Sequence, residues 1–177
     1  MLQLDVAKLR EGPNRLERVI EPAALPPEED YKIAAPVTLD ATASRDKGKV
    51  RIAGRVTTTL ELACSRCVET FPVPVDATFD LLYLPATEAP KAGEEVEVGY
   101  EDINTAFYSD GVIDLADLVH EQIYLALPMK PLCQEDCQGL CPACGVNRNT
   151  TACTCEPRWE DPRLAGLKAL LNEKHDA

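Results

Sequence analysis

The chain has 177 residues, of which 45% are hydrophobic and 27% are charged, a composition and length that suit one core with at most a small appendage. Its net charge of −12 opposes general binding to phosphate backbones and favours a basic protein as partner. No apolar run approaches the roughly 20 residues of a membrane helix, and the first residues lack the apolar stretch of a signal peptide. We therefore expect a cytoplasmic protein.

Alternating apolar residues predict a sheet in the first half of the chain. The segment "LQLDV" at 2–6 predicts a short strand, and "RLERVIEP" at 15–22 predicts a strand or one helical turn. Two longer alternating runs, 36–44 and 49–64, are joined by the glycine-bearing "RDKGK" and form a predicted hairpin. A third long strand is predicted at 73–84. We expect these three consecutive antiparallel strands to form a curled sheet or an open barrel.

Two amphipathic helices are predicted in the second half. Asp114 is a suitable N-cap for "LADLVHEQIYLALP", and Pro128 marks its end, which gives a helix over about 114–127. The second helix is predicted in "EDPRLAGLKALLNEK", with Asp161 as N-cap and Pro162 in its first turn. The acidic segment before the first helix predicts a mobile loop that leads to a short strand.

These elements predict an α+β fold that is rich in strands. We expect residues 1–130 to form the antiparallel sheet body with its central amphipathic helix. Residues 131–177 are predicted to form a cysteine-rich, metal-binding module with a C-terminal helix, packed on the body.

The eight cysteines form two Cys-x2-Cys pairs, one Cys-x3-Cys pair and one Cys-x-Cys pair. In a reducing cytoplasm such thiols bind metal more often than they form disulfides, and zinc prefers four thiolates in a tetrahedron. We predict two zinc sites, formed by Cys64, Cys67, Cys133 and Cys137 and by Cys141, Cys144, Cys153 and Cys155. In the alternative pairing, the Cys-x3-Cys pair shares an ion with the Cys-x-Cys pair. Four thiolates also suit iron.

The sequence predicts no catalytic residues. The first Cys-x2-Cys pair follows a strand, whereas redox pairs normally open a helix. His120 lies on an amphipathic helix and His175 near the end of the chain, so we expect both to be structural or solvated rather than partners of a nucleophilic cysteine. An RNA-processing nuclease is the enzymatic alternative, with a magnesium site built from Asp102, Asp110, Asp114 and Asp117. Helix capping already explains one of these acids, and no histidine or lysine base accompanies the others.

Basic residues concentrate at the predicted hairpin tip. The segment "RDKGKVRIAGR" at 45–55 carries five bases and one acid, and a solvated hairpin tip is the simplest explanation. The alternative is a surface that contacts RNA or a protein partner. Its candidate residues are Arg45, Lys47, Lys49, Arg51, Arg55 and, between the first two cysteines, Arg66.

Four separate motifs occur in order along the chain: "CSRCVETFPVPV", "GVIDLADLVHEQIYLALPMKPLC", "CQGLCPACGVNRN" and "CTC". Together they resemble the YceD family, whose members are called large ribosomal RNA subunit accumulation proteins, over about Val50 to Cys155. The resemblance implies a bacterial, cytoplasmic, non-enzymatic factor that is needed for normal levels of large-subunit ribosomal RNA. The recurrent Cys-x-Arg-Cys motif of the family corresponds here to Cys64, Arg66 and Cys67, whereas the later cysteines vary across the family.

Three functions therefore compete. The first is a ribosome biogenesis factor that binds a ribosomal protein or a precursor of the large subunit, with direct RNA contact as an option. The second is the nuclease described above. The third is a zinc-stabilised interaction module with a partner outside the ribosome. None of the three requires a membrane or a small-molecule substrate.

Overall fold

The computed structural model describes residues 2–90, 99 and 103–155, which fall into two compact units. The first unit comprises Met1–Ala63 and Thr70–Pro131. The second unit comprises Cys64–Glu69 and the chain from Leu132 onward. The predicted C-terminal helix with its Asp161 cap, most of the predicted acidic loop, Asp102 and His175 lie outside the described residues.

The first unit is built on an open six-stranded sheet. Its strands are β2 (Gly12–Ile20), β3 (Lys32–Ile33), β4 (Val37–Asp46), β5 (Lys49–Ala63), β6 (Thr70–Pro85) and β7 (Thr105–Tyr108). The strand order is β2-β4-β5-β6-β7, and β3 pairs with β5 beyond the end of β4. Two further strands, β1 (Gln3–Asp5) and β8 (Val112–Asp114), form a separate antiparallel ladder.

The three long predicted strands are confirmed as β4, β5 and β6. Along β4 every second side chain is buried, because alternate residues of a strand point to opposite faces of the sheet. Lys47 and Gly48, with φ of 47° and 88°, form the tight turn between β4 and β5. The ambiguous segment at 15–22 belongs largely to strand β2.

One edge of the sheet differs from the prediction. A wholly antiparallel sheet was expected, but β7 runs parallel to β6. Parallel neighbours require a long connection, and 19 residues separate Pro85 from Thr105. This connection begins with a single turn of 3-10 helix at Ala86–Glu88. The alternation of apolar residues predicts the strand itself but not its direction in the sheet.

The predicted central helix is confirmed as α1 (Leu115–Ala126), which packs on β6. The side chain of Asp114 accepts hydrogen bonds from the N–H groups of Ala116 and Asp117, as expected of an N-cap. The apolar face of the helix joins the buried face of the sheet in one core. Its members on the helix are Leu115, Leu118, Val119 and Ile123. In the part of the chain that the structure describes, no helix is long and apolar enough to span a membrane.

Candidate metal centre

The second unit gathers all eight cysteines into two clusters of four. One cluster contains Cys64, Cys67, Cys133 and Cys137, and the other contains Cys141, Cys144, Cys153 and Cys155. Within each cluster the four sulfurs lie within 4.8 Å of one another. This grouping is the first of the two predicted pairings, and the interleaved alternative is not the one that the fold adopts.

The spacing of the sulfurs suits a tetrahedral ion. The Sγ atoms of Cys64 and Cys137 are 3.7 Å apart, and those of Cys144 and Cys153 are 3.5 Å apart. All eight thiols are free, since a disulfide requires an S–S distance of about 2.05 Å. Four sulfurs at about 2.3 Å from a central zinc ion would be about 3.8 Å from one another. Small shifts of the side chains would therefore allow each cluster to bind an ion of this size.

The two Cys-x2-Cys turns have the same backbone geometry. The N–H of Val68 donates to the carbonyl oxygen of Cys64 at 2.9 Å, and the N–H of Gly145 donates to that of Cys141 at 2.8 Å. Val68 and Gly145 have φ of 64° and 73°. Glycine adopts this left-handed conformation freely, whereas a β-branched residue is strained there. Val68 is also 63% exposed, so burial of its side chain compensates little of that strain.

Arg66 links the first turn to the segment that carries the other two cysteines of its cluster. Its guanidinium Nη1 donates to the carbonyl oxygen of Cys137 at 2.8 Å, and its own carbonyl accepts from the N–H of Leu140 at 3.0 Å. Gly139 has φ of 71°, and a Cβ added there would lie 3.0 Å from the carbonyl oxygen of Arg66. Close backbone contact therefore holds these two segments in register. The predicted role of Arg66 in RNA or partner contact stays a prediction.

Asn149 is a residue of this site that the sequence analysis missed. Its Nδ2 donates to the Sγ of Cys137 at 3.2 Å, and its Oδ1 accepts from the N–H of Gln138 at 2.7 Å. An N–H donor stabilises a thiolate, and such supporting groups orient metal ligands. The polar run "NRNTT" between the cysteines is the only signal in the sequence. That signal does not say which of its side chains turns toward a sulfur.

The thiols of each cluster differ in acidity. Burial opposes ionisation of Cys64, but hydrogen bonds from backbone N–H groups lower its pKa to about 6. Backbone N–H groups likewise lower the pKa of Cys141 to about 6. Burial and neighbouring sulfurs raise the pKa of Cys133 to about 12, and hydrogen bonds to neighbouring sulfurs raise that of Cys155 to about 12. Four thiols must lose their protons to bind one ion. Metal binding would therefore release protons, and the affinity for the metal would fall at acidic pH.

Comparison with known proteins identifies the family. The family model described as "Large ribosomal RNA subunit accumulation protein YceD" matches residues 52–171. The chain belongs to the YceD family. The resemblance predicted from the cysteine and helix motifs is therefore confirmed.

Curated proteins similar to this chain occur in plants and bacteria. The chain is 33% identical to the chloroplastic large ribosomal RNA subunit accumulation protein YCED homolog 1 of Zea mays over 157 residues, which are 76% of this chain and 52% of the relative. It is 27% identical to homolog 1 of Arabidopsis thaliana, over 82% of this chain and 52% of the relative. An uncharacterized protein of Mycobacterium leprae is 32% identical over 64% of this chain and 49% of the relative. The chain thus spans about half the length of these relatives, and no solved structure matches it.

The basic hairpin tip is partly neutralised within the first unit of this YceD chain. Arg51 donates from Nε to Asp80 at 2.7 Å, and Nε of Arg55 lies 3.0 Å from Asp76. Arg45 donates to the carbonyl oxygen of Val6. Among the described residues, only the remaining two bases of the tip have neither an ion pair nor a side-chain hydrogen bond. They are Lys47 and Lys49.

Of the described residues considered for catalysis, Asp114 and His120 have structural partners, and the acids do not gather into a metal-binding group. Asp110 has φ of 54° and occupies the turn between β7 and β8. Asp114 caps the helix, and the ring of His120 is buried with Nδ1 3.1 Å from the hydroxyl of Tyr31. Within the described residues, only the cysteines form groups of three or more closely spaced metal ligands. The nuclease alternative therefore gains no support from the described acids.

Proposed function

We propose that the protein is a zinc-stabilised, non-catalytic assembly factor that supports the accumulation of large-subunit ribosomal RNA. It would act in the cytoplasm by binding a ribosomal protein or a precursor of the large subunit. Membership of the YceD family supports the ribosomal role, because its curated relatives in plants carry that function in their names. The observation that carries the non-catalytic part is the pair of four-cysteine clusters.

The donor sets favour structural zinc. Structural zinc sites have four protein ligands, whereas catalytic sites keep one position open for water or substrate. Each cluster here offers four thiols with tetrahedral spacing, and three of the four cysteines in the first cluster are buried. Zinc at both sites would stabilise the fold directly, since structural metal binding contributes folding free energy. The surface around the clusters would then act by docking.

The charge of the chain supports a basic partner. A net charge of −12 repels nucleic-acid phosphates at long range and attracts basic proteins. Direct RNA contact would fall to Lys47 and Lys49 at the hairpin tip, where the neighbouring arginines are already engaged. We therefore place a ribosomal protein ahead of naked RNA as the first contact.

The decisive experiment combines metal analysis with complementation. Purified, reduced protein should contain close to two zinc ions per chain by mass spectrometry. In cells that lack the gene, the wild-type chain should restore the ratio of large- to small-subunit ribosomal RNA. The Cys141→Ser variant should bind less zinc, unfold more readily and fail to restore the ratio. The exposed Ser65→Ala variant, within the first cysteine turn, is the matched control and should behave like wild type.

Two results would contradict the proposal. Metal-free protein that is folded and fully active in complementation would remove zinc from the function. Crosslinking that recovers a partner which does not sediment with large subunits or their precursors would favour the interaction module outside the ribosome.

A further inference from the structure

The first unit contains a cleft that the cysteine clusters do not explain. It lies among β6, the turn between β7 and β8, and the N-terminal half of α1, and its volume is about 220 Å³. Its lining combines aromatic rings with carboxylates. The residues that matter are Tyr83, Phe107, Tyr108, Asp114, Asp117 and Glu121.

The carboxylates of this cleft have no cationic partner among the residues that the structure describes. Asp114, Asp117 and Glu121 follow one stripe of α1, and among the described residues none of them forms an ion pair. Capping explains Asp114, and the helix dipole favours Asp117 in the first turn. Neither reason applies to Glu121, which lies beyond the first turn and four residues from Asp117, where like charges destabilise a helix. The stripe therefore attracts a cation from outside the helix.

Tyr83 contributes a second kind of polar group to the cleft, its hydroxyl, beside the carboxylates. Its side chain lines the cleft and is only 6% exposed, yet its hydroxyl has no hydrogen-bond partner in the described part of the chain. Its oxygen is not among the fully enclosed polar atoms without a partner, of which Nε2 of His120 is the only one in the described residues, so the hydroxyl opens into the cleft where a ligand can reach it. Burial, followed by the charges of Glu121, Asp117 and Asp114, raises the pKa of Tyr83, so the hydroxyl stays protonated beside them. A phenol oxygen in this setting can accept a hydrogen bond from a cationic N–H donor.

We propose that this cleft binds the side chain of an arginine or lysine from a basic segment of a partner protein. In this scheme one or two carboxylates pair with the cation, the hydroxyl of Tyr83 accepts a hydrogen bond from it, and the partly exposed ring of Phe107 offers a π face. The inference rests on the proposed function only for the identity of the partner as a ribosomal protein.

The size of the cleft and the spacing of its carboxylates favour an organic cation over a metal ion, a small molecule or RNA. Among the described residues, no three carboxylates come close enough together to hold one metal ion. A volume of about 220 Å³ is smaller than the usual 300 to 1,000 Å³ of small-molecule sites, so it suits one side chain. The negative charge of the cleft also repels the phosphates of RNA.

The proposal is tested by the binding of a fluorescent peptide to the full chain. The peptide alternates arginine and glycine residues, and its binding is measured by fluorescence anisotropy at physiological salt. The Asp117→Asn/Glu121→Gln double variant should bind roughly tenfold more weakly or worse, the size of a lost charge-assisted contact. The Glu17→Gln/Asp40→Asn double variant is the matched control. It changes the net charge equally, from −12 to −10, on strands β2 and β4, at the other end of the strand order from β7.

Tyr83→Phe separates a ligand-binding hydroxyl from a structural one. Because the hydroxyl has no hydrogen-bond partner among the described residues, the variant should melt at the wild-type temperature or higher while it binds the peptide several-fold more weakly. A lower melting temperature with unchanged binding would overturn the assignment. Equal weakening in the two double variants would show charge attraction without a site and would also overturn it.

Other ligands give different outcomes on the same proteins. Displacement of the peptide by micromolar Mg²⁺, or tight binding of a single-stranded RNA that the site variant loses, would overturn the proposal in favour of a metal or RNA site. If the purified protein does not bind the peptide, the proposal for the cleft is overturned. The ribosomal role is left untouched, because this assay does not measure it. Normal large-subunit RNA in cells that lack the protein would instead overturn the proposed function and leave the cleft standing.

Discussion

Asn149 offers a sharp test of the proposed metal centre, because its effect on zinc affinity should be confined to one cluster. The Asn149→Ala change removes the Nδ2 donor 3.2 Å from the sulfur of Cys137 and the Oδ1 acceptor 2.7 Å from the N–H of Gln138. Loss of a group that supports a metal ligand typically weakens metal binding about 10- to 100-fold, which corresponds to about 1.4 to 2.8 kcal/mol. Asn149→Asp keeps the acceptor but places a carboxylate beside a thiolate. It should weaken binding further.

Competition with a chromophoric zinc chelator measures both sites in one titration. Cys137→Ser and Cys155→Ser assign each transition to a cluster. Gln134→Ala is the matched control, since Gln134 is exposed and its amide contacts only Asn149, at 3.4 Å. We expect the Asn149 variants to weaken the site of Cys137 alone. Unchanged zinc affinity, or an equal loss at both sites, would refute the reasoning.

Two further predictions concern stability. Gly139→Ala should lower the free energy of unfolding more than Gly145→Ala. Left-handed strain of about 1–2 kcal/mol applies to both variants, but only at Gly139 would the new Cβ lie 3.0 Å from the carbonyl oxygen of Arg66. Equal urea midpoints of the two variants would contradict this prediction. Asp80→Asn should cost less than about 1 kcal/mol at pH 7, since its ion pair with Arg51 is exposed. Arg51 lowers the pKa of Asp80, so this stabilisation is present above pH 3.8 and is lost as the pH falls through the lowered pKa. A difference in the free energy of unfolding between wild type and variant that persists undiminished at pH 2 would argue against this reasoning.

The sequence predicts well those helices and strands whose formation depends on residues that are close together in the chain. The hairpin of β4 and β5 follows from alternating apolar residues around a glycine-bearing turn, and α1 follows from its apolar stripe and the Asp114 cap. The direction of β7 was missed, because alternation along a short strand carries no information about which way it runs beside β6. Strand direction is decided by the connection and by the surface available at the edge of the sheet.

The grouping of the cysteines into two sets of four was predictable from the sequence, since their number, their spacing and the four ligands of a tetrahedral site limit the pairings to a few. Only the tertiary structure decided which groups support the sulfurs and which charges are free. Arg51 meets Asp80 from 29 residues away, Asn149 turns toward Cys137, and Tyr83 opens into an acidic cleft on α1. These contacts depend on strand register and on the packing of distant segments, because a side chain's partners are set by position in space and not by its neighbours in the chain.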